Sequence, residues 1–405
     1  MKNGWPSKAL GEVCQIKPPK SEARERISAD ALVSFLPMEN LGIDQKFVRA
    51  SQARPLSAVA GSYTYFANSD ILLAKITPCF ENGKLGIAEG LINGIGFGSS
   101  EYIVFRPERT LNKEWLYYYL SRETFRVEGA ARMSGAVGHK RVAKEFIESY
   151  LIPVPPLPEQ QRIVGILDEA FDGVATAKAN AEKNFRDARA LFESYLQSVF
   201  TQRGDGWAEK PLGSLASFRN GINYTKDSKG ESIKIVGVRN FQKNFSAPLD
   251  DIDTVRIDGK LSELDSLRQN DILAVRSNGN IELIGRCILV GKVPEKISHS
   301  GFTIRIRLSN GEVLPKYLCH FMKSASSRKR LTDGGTGTNI KSLNQGMLSA
   351  LTIPFPSISM QKVLVEKLES LSQETQRLGS LYKRKLSALE ALKKSLLHQA
   401  FTGAL

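Results

Sequence analysis

The chain has little with which to do covalent chemistry. Its four cysteines, Cys14, Cys79, Cys287 and Cys319, are scattered and form no Cys-x-x-Cys pair, which argues against a zinc site and for reduced thiols. Its four histidines, His139, His299, His320 and His398, are equally dispersed. No Gly-Lys-Ser/Thr phosphate loop occurs, so ATP use by the chain is not expected. No Asn/Asp-Pro-Pro-Tyr/Phe phrase of a methyltransferase occurs either. Gly94-Ile95-Gly96-Phe97-Gly98 is glycine-rich but lacks the spacing of a dinucleotide loop. Asp250 and Asp251 with Asp258-Gly259-Lys260 carry the residue types of a metal-dependent nuclease, at a spacing that polar loops produce by chance. No apolar run is long enough to cross a membrane, and the first residues, MKNGWPSKALGEV, contain no apolar signal segment; a cytoplasmic location is expected. Acidic residues are the minority: 42 against 56 Lys plus Arg, a net charge of +14. That excess favours a polyanionic partner, nucleic acid first.

What the sequence has in abundance is helix. Residues 158–201 and 359–402 are rich in Ala, Leu, Glu, Lys, Arg and Gln and contain no proline after the first residue. Core positions alternate three and four apart. The first seam reads Ile163, Leu167, Ala170, Val174, Ala177, Ala181, Asn184, Ala188, Leu191, Tyr195, Ser198. The second reads Leu364, Leu368, Leu371, Thr375, Leu378, Tyr382, Lys385, Leu389, Leu392, Leu396, Gln399, each 201 residues beyond its counterpart. A seam held this long predicts a coiled coil, each helix about 65 Å long at 1.5 Å per residue. Asn184 and Lys385 fall at equivalent seam places, where a polar residue fixes register at a cost in stability.

An offset of 201 or 202 residues runs through the rest of the chain. Trp5 to Gly11 matches Trp207 to Gly213, SDILLAK from Ser69 matches NDILAVR from Asn270, WLYYYL from Trp115 matches YLCHFM from Tyr317, and IPVPPLPEQ from Ile152 matches IPFPSISMQ from Ile353. The chain is therefore two copies of one unit, a globular block followed by a long helix. Expected boundaries are 1–155 and 204–356 for the blocks and 156–203 and 357–405 for the helices. Each block reads as mixed α and β, with strands at Leu32–Leu36, Asp70–Ile76, Gly86–Ala88 and Tyr102–Phe105, then Lys234–Val238, Asp271–Arg276, Arg286–Val290 and Thr303–Leu308. One helix is expected from Lys113 to Gly129 and its twin from Pro315 to Leu331. The fold class is thus α+β: two similar α/β blocks joined by two long antiparallel helices, with pseudo-two-fold internal symmetry.

Two stretches in each block offer donors suited to DNA. The strand–loop–strand element after Asp70 carries Lys75, Thr77, Asn82 and Lys84; its partner after Asn270 carries Arg276, Ser277, Asn278, Asn280 and Arg286. Arg and Lys suit guanine edges, Asn suits adenine. The glycine stretches carry His139, Lys140 and Arg141 in the first copy, Asn339 and Lys341 in the second. There glycines let backbone approach phosphates that lysines neutralise.

On these residues the chain resembles the specificity subunit of type I restriction-modification enzymes. The phrases LPEQQRIVGILDEA (Leu157 to Ala170) and LLHQAFTGAL (Leu396 to Leu405) carry most of the resemblance, which covers the whole chain; Ser359 and Met360 depart from it where the first copy has Pro158 and Glu159. The resemblance implies two target recognition domains, each reading half of an asymmetric bipartite target in double-stranded DNA. It implies helices that set the spacer and dock two methyltransferase subunits, joined by restriction and translocase subunits. S-adenosylmethionine, ATP and Mg would then belong to those partners, with no cofactor, metal or catalytic residue on this chain. The alternative reading is a coiled-coil scaffold joining two protein-binding domains without DNA reading.

Overall fold

A computed structural model describes residues 4–202, 204–241, 244–333 and 342–405. The chain divides into two compact units, residues 1–181 with 384–405, and residues 182–383. Neither boundary falls where block meets helix; each falls inside a long helix. Every helix end buries its apolar face against a block, so each block takes the half-helices that cover it.

In the first unit, β1 (Ser7–Ala9) leads through α1 (Leu10–Val13) to β2 (Cys14–Ile16) and α2 (Ser21–Arg26). Then come β3 (Leu32–Leu36), β4 (Phe47–Val48), β5 (Gln52–Pro55), α3 (Leu56–Val59), β6 (Thr64–Ala67), β7 (Ile71–Ala74), β8 (Leu85–Ala88), β9 (Ile95–Gly98) and β10 (Tyr102–Pro107). Helices α4 (Lys113–Leu120), α5 (Glu123–Ala131) and α6 (Lys144–Ser149) follow, then β11 (Leu151–Pro153) and the long α7 (Leu157–Thr201). Five strands form one sheet in the order β2-β10-β7-β8-β4, four form another, β5-β3-β9-β6, and β1 pairs with β11. All four residues of β7 are buried, as expected of a central strand covered on both faces.

The second unit repeats this plan with fewer strands. They are β12 (Ala208–Pro211), β13 (Ala216–Asn220), β14 (Ser232–Val236), β15 (Asp253–Arg256), β16 (Ile272–Val275), β17 (Cys287–Leu289), β18 (Ile297–His299) and β19 (Thr303–Leu308). They are followed by α8 (Pro315–Lys323), α9 (Ala325–Asp333), α10 (Gln345–Ala350), β20 (Thr352–Phe355) and the long α11 (Ile358–Thr402). The sheets are β13-β19-β16-β17, β15-β14-β18 and β12-β20, each the counterpart of one in the first unit.

The single helix expected from Lys113 to Gly129 is two, and so is its twin. Arg122 (φ −64°, ψ 142°) and Ser324 (φ −63°, ψ 146°) take extended backbone and break each run. At the second break the Ser324 hydroxyl accepts the Ser327 N–H at 3.4 Å, a serine acting as helix cap where propensity alone suggests continuation.

Both long helices have 45 residues. In the first unit Ile163, Val164 and Leu167 share a core with Leu397, Ala400 and Phe401, and Lys178 pairs with Glu390 at 2.8 Å. In the second, Leu196, Val199 and Phe200 share a core with Val365 and Leu368, while the Phe185 ring lies beside Gly379. Rising numbers on one helix meet falling numbers on the other, so the helices run antiparallel within each unit. The uninterrupted heptad seam is corrected. Leu191 is 65% and Leu392 46% exposed, and Asn184 and Lys385 also face solvent. The covered positions instead run Ala177, Ala181, Phe185, Ala188, Phe192, Tyr195, and Leu378, Tyr382, Leu386, Leu389, Lys393, Leu396. Two successive four-residue steps move the seam by one residue in each helix, at equivalent places. The cause is geometric: a seven-residue repeat drifts about 20° per heptad on an ordinary helix and must be reset over this length.

Candidate nucleic-acid interface

Each block is fastened to its long helix by the same device. Gln160 and Gln361 are both 0% exposed. The Gln160 amide donates to the carbonyls of Thr110 (3.0 Å) and Pro155 (2.7 Å), and its oxygen accepts the Asn112 N–H at 2.8 Å. Gln361 donates to Glu312 (2.8 Å) and Pro356 (2.9 Å) and accepts from Leu314 at 2.8 Å. Beside them, the Trp115 indole donates to the Pro153 carbonyl at 3.0 Å, and the Tyr317 hydroxyl donates to the equivalent Pro354 carbonyl at 2.8 Å.

A second shared device holds the start of β7 and β16. Ser69 and Asn270 take left-handed backbone, φ 74° and 75°. The following aspartates, Asp70 and Asp271, are each 1% exposed. Asp70 accepts both Nε and Nη2 of Arg106 at 2.8 Å, and Asp271 accepts the same pair from Arg307 at 2.7 and 2.8 Å. Such forked pairing orients the strand by charge-assisted hydrogen bonds.

The strands so fixed end at one edge where the candidate stretches meet. In the first unit the Lys75 N–H donates to Glu101 O at 2.9 Å and Lys75 O accepts Val142 N–H at 3.0 Å. In the second, Arg276 N–H donates to Phe302 O at 2.8 Å and Arg276 O accepts Leu343 N–H at 2.8 Å. Thr77 N–H also donates to Lys140 O at 2.9 Å. The loop after β7 and the glycine stretch, 60 residues apart, are thus stitched into one surface.

The named side chains divide on that surface. His139 and Lys140 are exposed, and Val137 between them and the turn is 93% exposed. Arg141 is engaged: Nε and Nη2 donate to Glu101 at 2.9 and 2.7 Å, and Nη1 donates to the His139 carbonyl. Lys75 Nζ donates to Ser100 O at 3.0 Å. Burial holds its ammonium pKa below the ordinary value; Glu101 opposes that shift, and Lys17 and Arg141 add to it. Thr77 donates to Glu81 at 2.8 Å, and Lys84 turns inward to the Met38 carbonyl at 2.7 Å. Asn82 is exposed. In the second unit Asn278 and Asn280 use their side-chain oxygens to close turns, accepting the N–H groups of Asn280 and Glu282. Arg286 donates to Glu282 O at 2.9 Å. Arg276 and Ser277 are half-buried on the shared edge. Asn339 and Lys341 lie outside the described residues.

The reading of the sequence missed a lysine-lined cleft of about 310 Å³ in the first unit. Lys17, Lys20, Lys75 and Lys144 surround it with Tyr63 and Tyr65. Burial, then the neighbouring charges of Arg24 and Lys17, hold the Lys20 pKa below its ordinary value. The signal was present as Lys17-Pro18-Pro19-Lys20, two cations on a stiff dipeptide. Clustered lysines with hydroxyls suit the phosphodiester backbone rather than base edges. Among the described residues no group of three or more His, Cys, Asp or Glu is gathered as metal ligands, and no helix is long and apolar enough to cross a membrane.

The specificity subunit of the type I restriction enzyme EcoAI from Escherichia coli is 38% identical over 164 residues, 40% of this chain and 27% of that protein. The chain thus spans about a quarter of the length of that relative. The HsdS subunit from Thermoanaerobacter tengcongensis shares the fold, with a TM-score of 0.67 at 16% identity over 100% of this chain and 98% of that one. A chain from a structure of complex assembly and conformational transition in the type I R-M system shares it more closely, with a TM-score of 0.80 at 16% identity, covering 100% and 99% of the two chains. The family model described as the type I restriction modification DNA specificity domain matches residues 2–183 and again 204–384. With the matched segments following the internal repeat and both units built on one scaffold, the chain belongs to the family of type I restriction modification DNA specificity domains, and carries that domain twice.

Proposed function

We propose that the chain is the DNA-reading subunit of a type I restriction-modification complex, each unit reading one half of an asymmetric bipartite target. The observation that carries this is a pair of matching scaffolds whose loop edges differ: Lys75, Glu101 and Arg141 in one, Arg276 and Phe302 in the other. Unlike edges on like frames suit unlike half-sites, and the net charge of +14 supplies the attraction to phosphates. The chain itself is non-catalytic. Two methyltransferase subunits dock on the helices, restriction and translocase subunits join them, and S-adenosylmethionine, ATP and Mg are bound by those partners in the cytoplasm.

The test is selection from a randomised duplex pool by the chain co-purified with its methyltransferase. Two short unlike motifs at a fixed gap are expected. A pool that stays random at moderate salt overturns the reading and leaves a scaffold that joins two protein-binding domains. Lengthening both long helices by two residues, about 3 Å of rise, should change the gap and leave the motifs alone.

A further inference from the structure

The positions of Glu101 and Phe302 are equivalent, 201 residues apart, and each accepts the backbone N–H of the cation that begins the loop edge, Lys75 or Arg276. They do opposite things with their side chains. Glu101 folds back and neutralises Arg141. Among the described residues Phe302 has no such partner to fold onto and stands 61% exposed, against 39% for Phe47 and 38% for Tyr224, the other exposed aromatics there.

The backbone beneath Phe302 is held tightly. A Cβ on the preceding Gly301 would meet the Asn223 side chain at 2.0 Å, and one on Gly221 would meet Ser300 O at 2.2 Å. The Gly301 N–H donates to Ile222 O at 2.8 Å, and the Thr303 hydroxyl donates to Ser300 O at 2.7 Å and lies 2.9 Å from His299 Nδ1. A phenyl ring is therefore presented to water from a rigid turn, beside Arg276 and Ser277, whose N–H groups both point to Phe302 O. Exposing so large an apolar group has a cost in water that a partner surface would remove. In the major groove the apolar group on offer is the thymine C5-methyl, and phenylalanine is among the side chains that contact it.

We propose that Phe302 is a specificity-determining contact of the second unit, packing on a thymine methyl at one position of its half-site. The proposal rests on the DNA reading above, and deepens it by assigning a residue and a base.

The test uses the assembled complex and the motif selected by the wild type. At one T·A pair, replacing thymine by uracil, which lacks only the methyl, should weaken wild-type binding about fourfold. F302A should bind thymine and uracil duplexes equally there, leave the other half-site unchanged and keep the same salt slope, because no phosphate contact is removed. F302M should restore part of the discrimination. A motif and a thymine-to-uracil ratio unchanged in F302A overturn the proposal while leaving the DNA reading in place. A wild-type complex that selects no motif overturns both.

Discussion

At the start of the long helices the two units agree bond for bond, and at the loop edge they part. Gln160 and Gln361 make the same three hydrogen bonds, and a carbonyl capped by an indole in one unit is capped by a phenol in the other. Fifty-nine residues before each glutamine, a clamped glutamate in one unit becomes an exposed phenylalanine in the other. The difference teaches where each residue is answerable. The frame is constrained by buried polar groups that must all be satisfied, whereas the edge is constrained only by what it meets.

The shared frame is not equally robust in both units, and the largest effect should expose this. Arg106 is held by Asp70 and also by Glu22 at 2.6 Å. Arg307 has Asp271 as its carboxylate partner, with the Ser266 carbonyl at 3.1 Å. Asp271→Ala should cost about 3–5 kcal/mol, because it strands a charge in a part-buried site. Asp70→Ala should cost about 1 kcal/mol less, because Glu22 still answers the guanidinium. Urea unfolding, with hydrogen exchange resolving peptides of each unit, measures both. Equal losses would mean that Glu22 contributes nothing.

Acid should separate the units next. His299 and His320 are buried in the second unit; burial lowers their pKa values to about 3 and about 4, with Arg305 adding for the first and Lys323 and Lys316 for the second. Gly98 and Tyr118 occupy the equivalent places in the first unit. The folded-state pKa lies below the ordinary 6.5, so the neutral histidine's contribution is complete above pH 6.5. It falls as pH drops towards 4 and then 3, at about 1.4 kcal/mol per pH unit for each group. Exchange protection, corrected for intrinsic rates, should therefore decline from pH 6.5 to 4 in the second unit more than in the first.

The smallest effect concerns the helices. Leu191→Gln and Leu392→Gln should change stability by no more than about 0.5 kcal/mol, since both leucines are exposed. Phe192→Ala, one residue on, should cost about 3 kcal/mol, because that ring packs on the core of the second unit. Thermal melting of the three variants distinguishes the stepped seam from an unbroken heptad.

Much of the frame was legible in the sequence because helix propensity, strand phrases and the repeat offset of 201 or 202 residues are local or repetitive signals. The seam beyond Ala181 was not, because heptad counting has no term for accumulated helical drift. The break at Ser324 was hidden for a similar reason, since a serine in a helical run reads as neutral until its cap is seen. At the candidate site, side-chain type singled out loops that share one edge, but not which donors are left over. Lys84, Thr77 and Arg141 have the chemistry of base readers, yet each meets an internal acceptor. Phe302 offers no donor, and an apolar side chain in the edge of a basic block carries no mark of a base contact in the sequence.

The glutamine clamps have one more consequence, for the way the long helices come apart. An ordinary helix frays from its ends, where backbone groups lack partners. Here both ends of each helix are set in the apolar cores of Ile163 to Leu167 and Leu196 to Phe200, or of Val365 to Leu368 and Leu397 to Phe401. Between them the seam is carried by alanines and half-covered side chains, where the register also steps. The usual order of opening should therefore be inverted, with the middle turns expected to exchange with solvent before the ends.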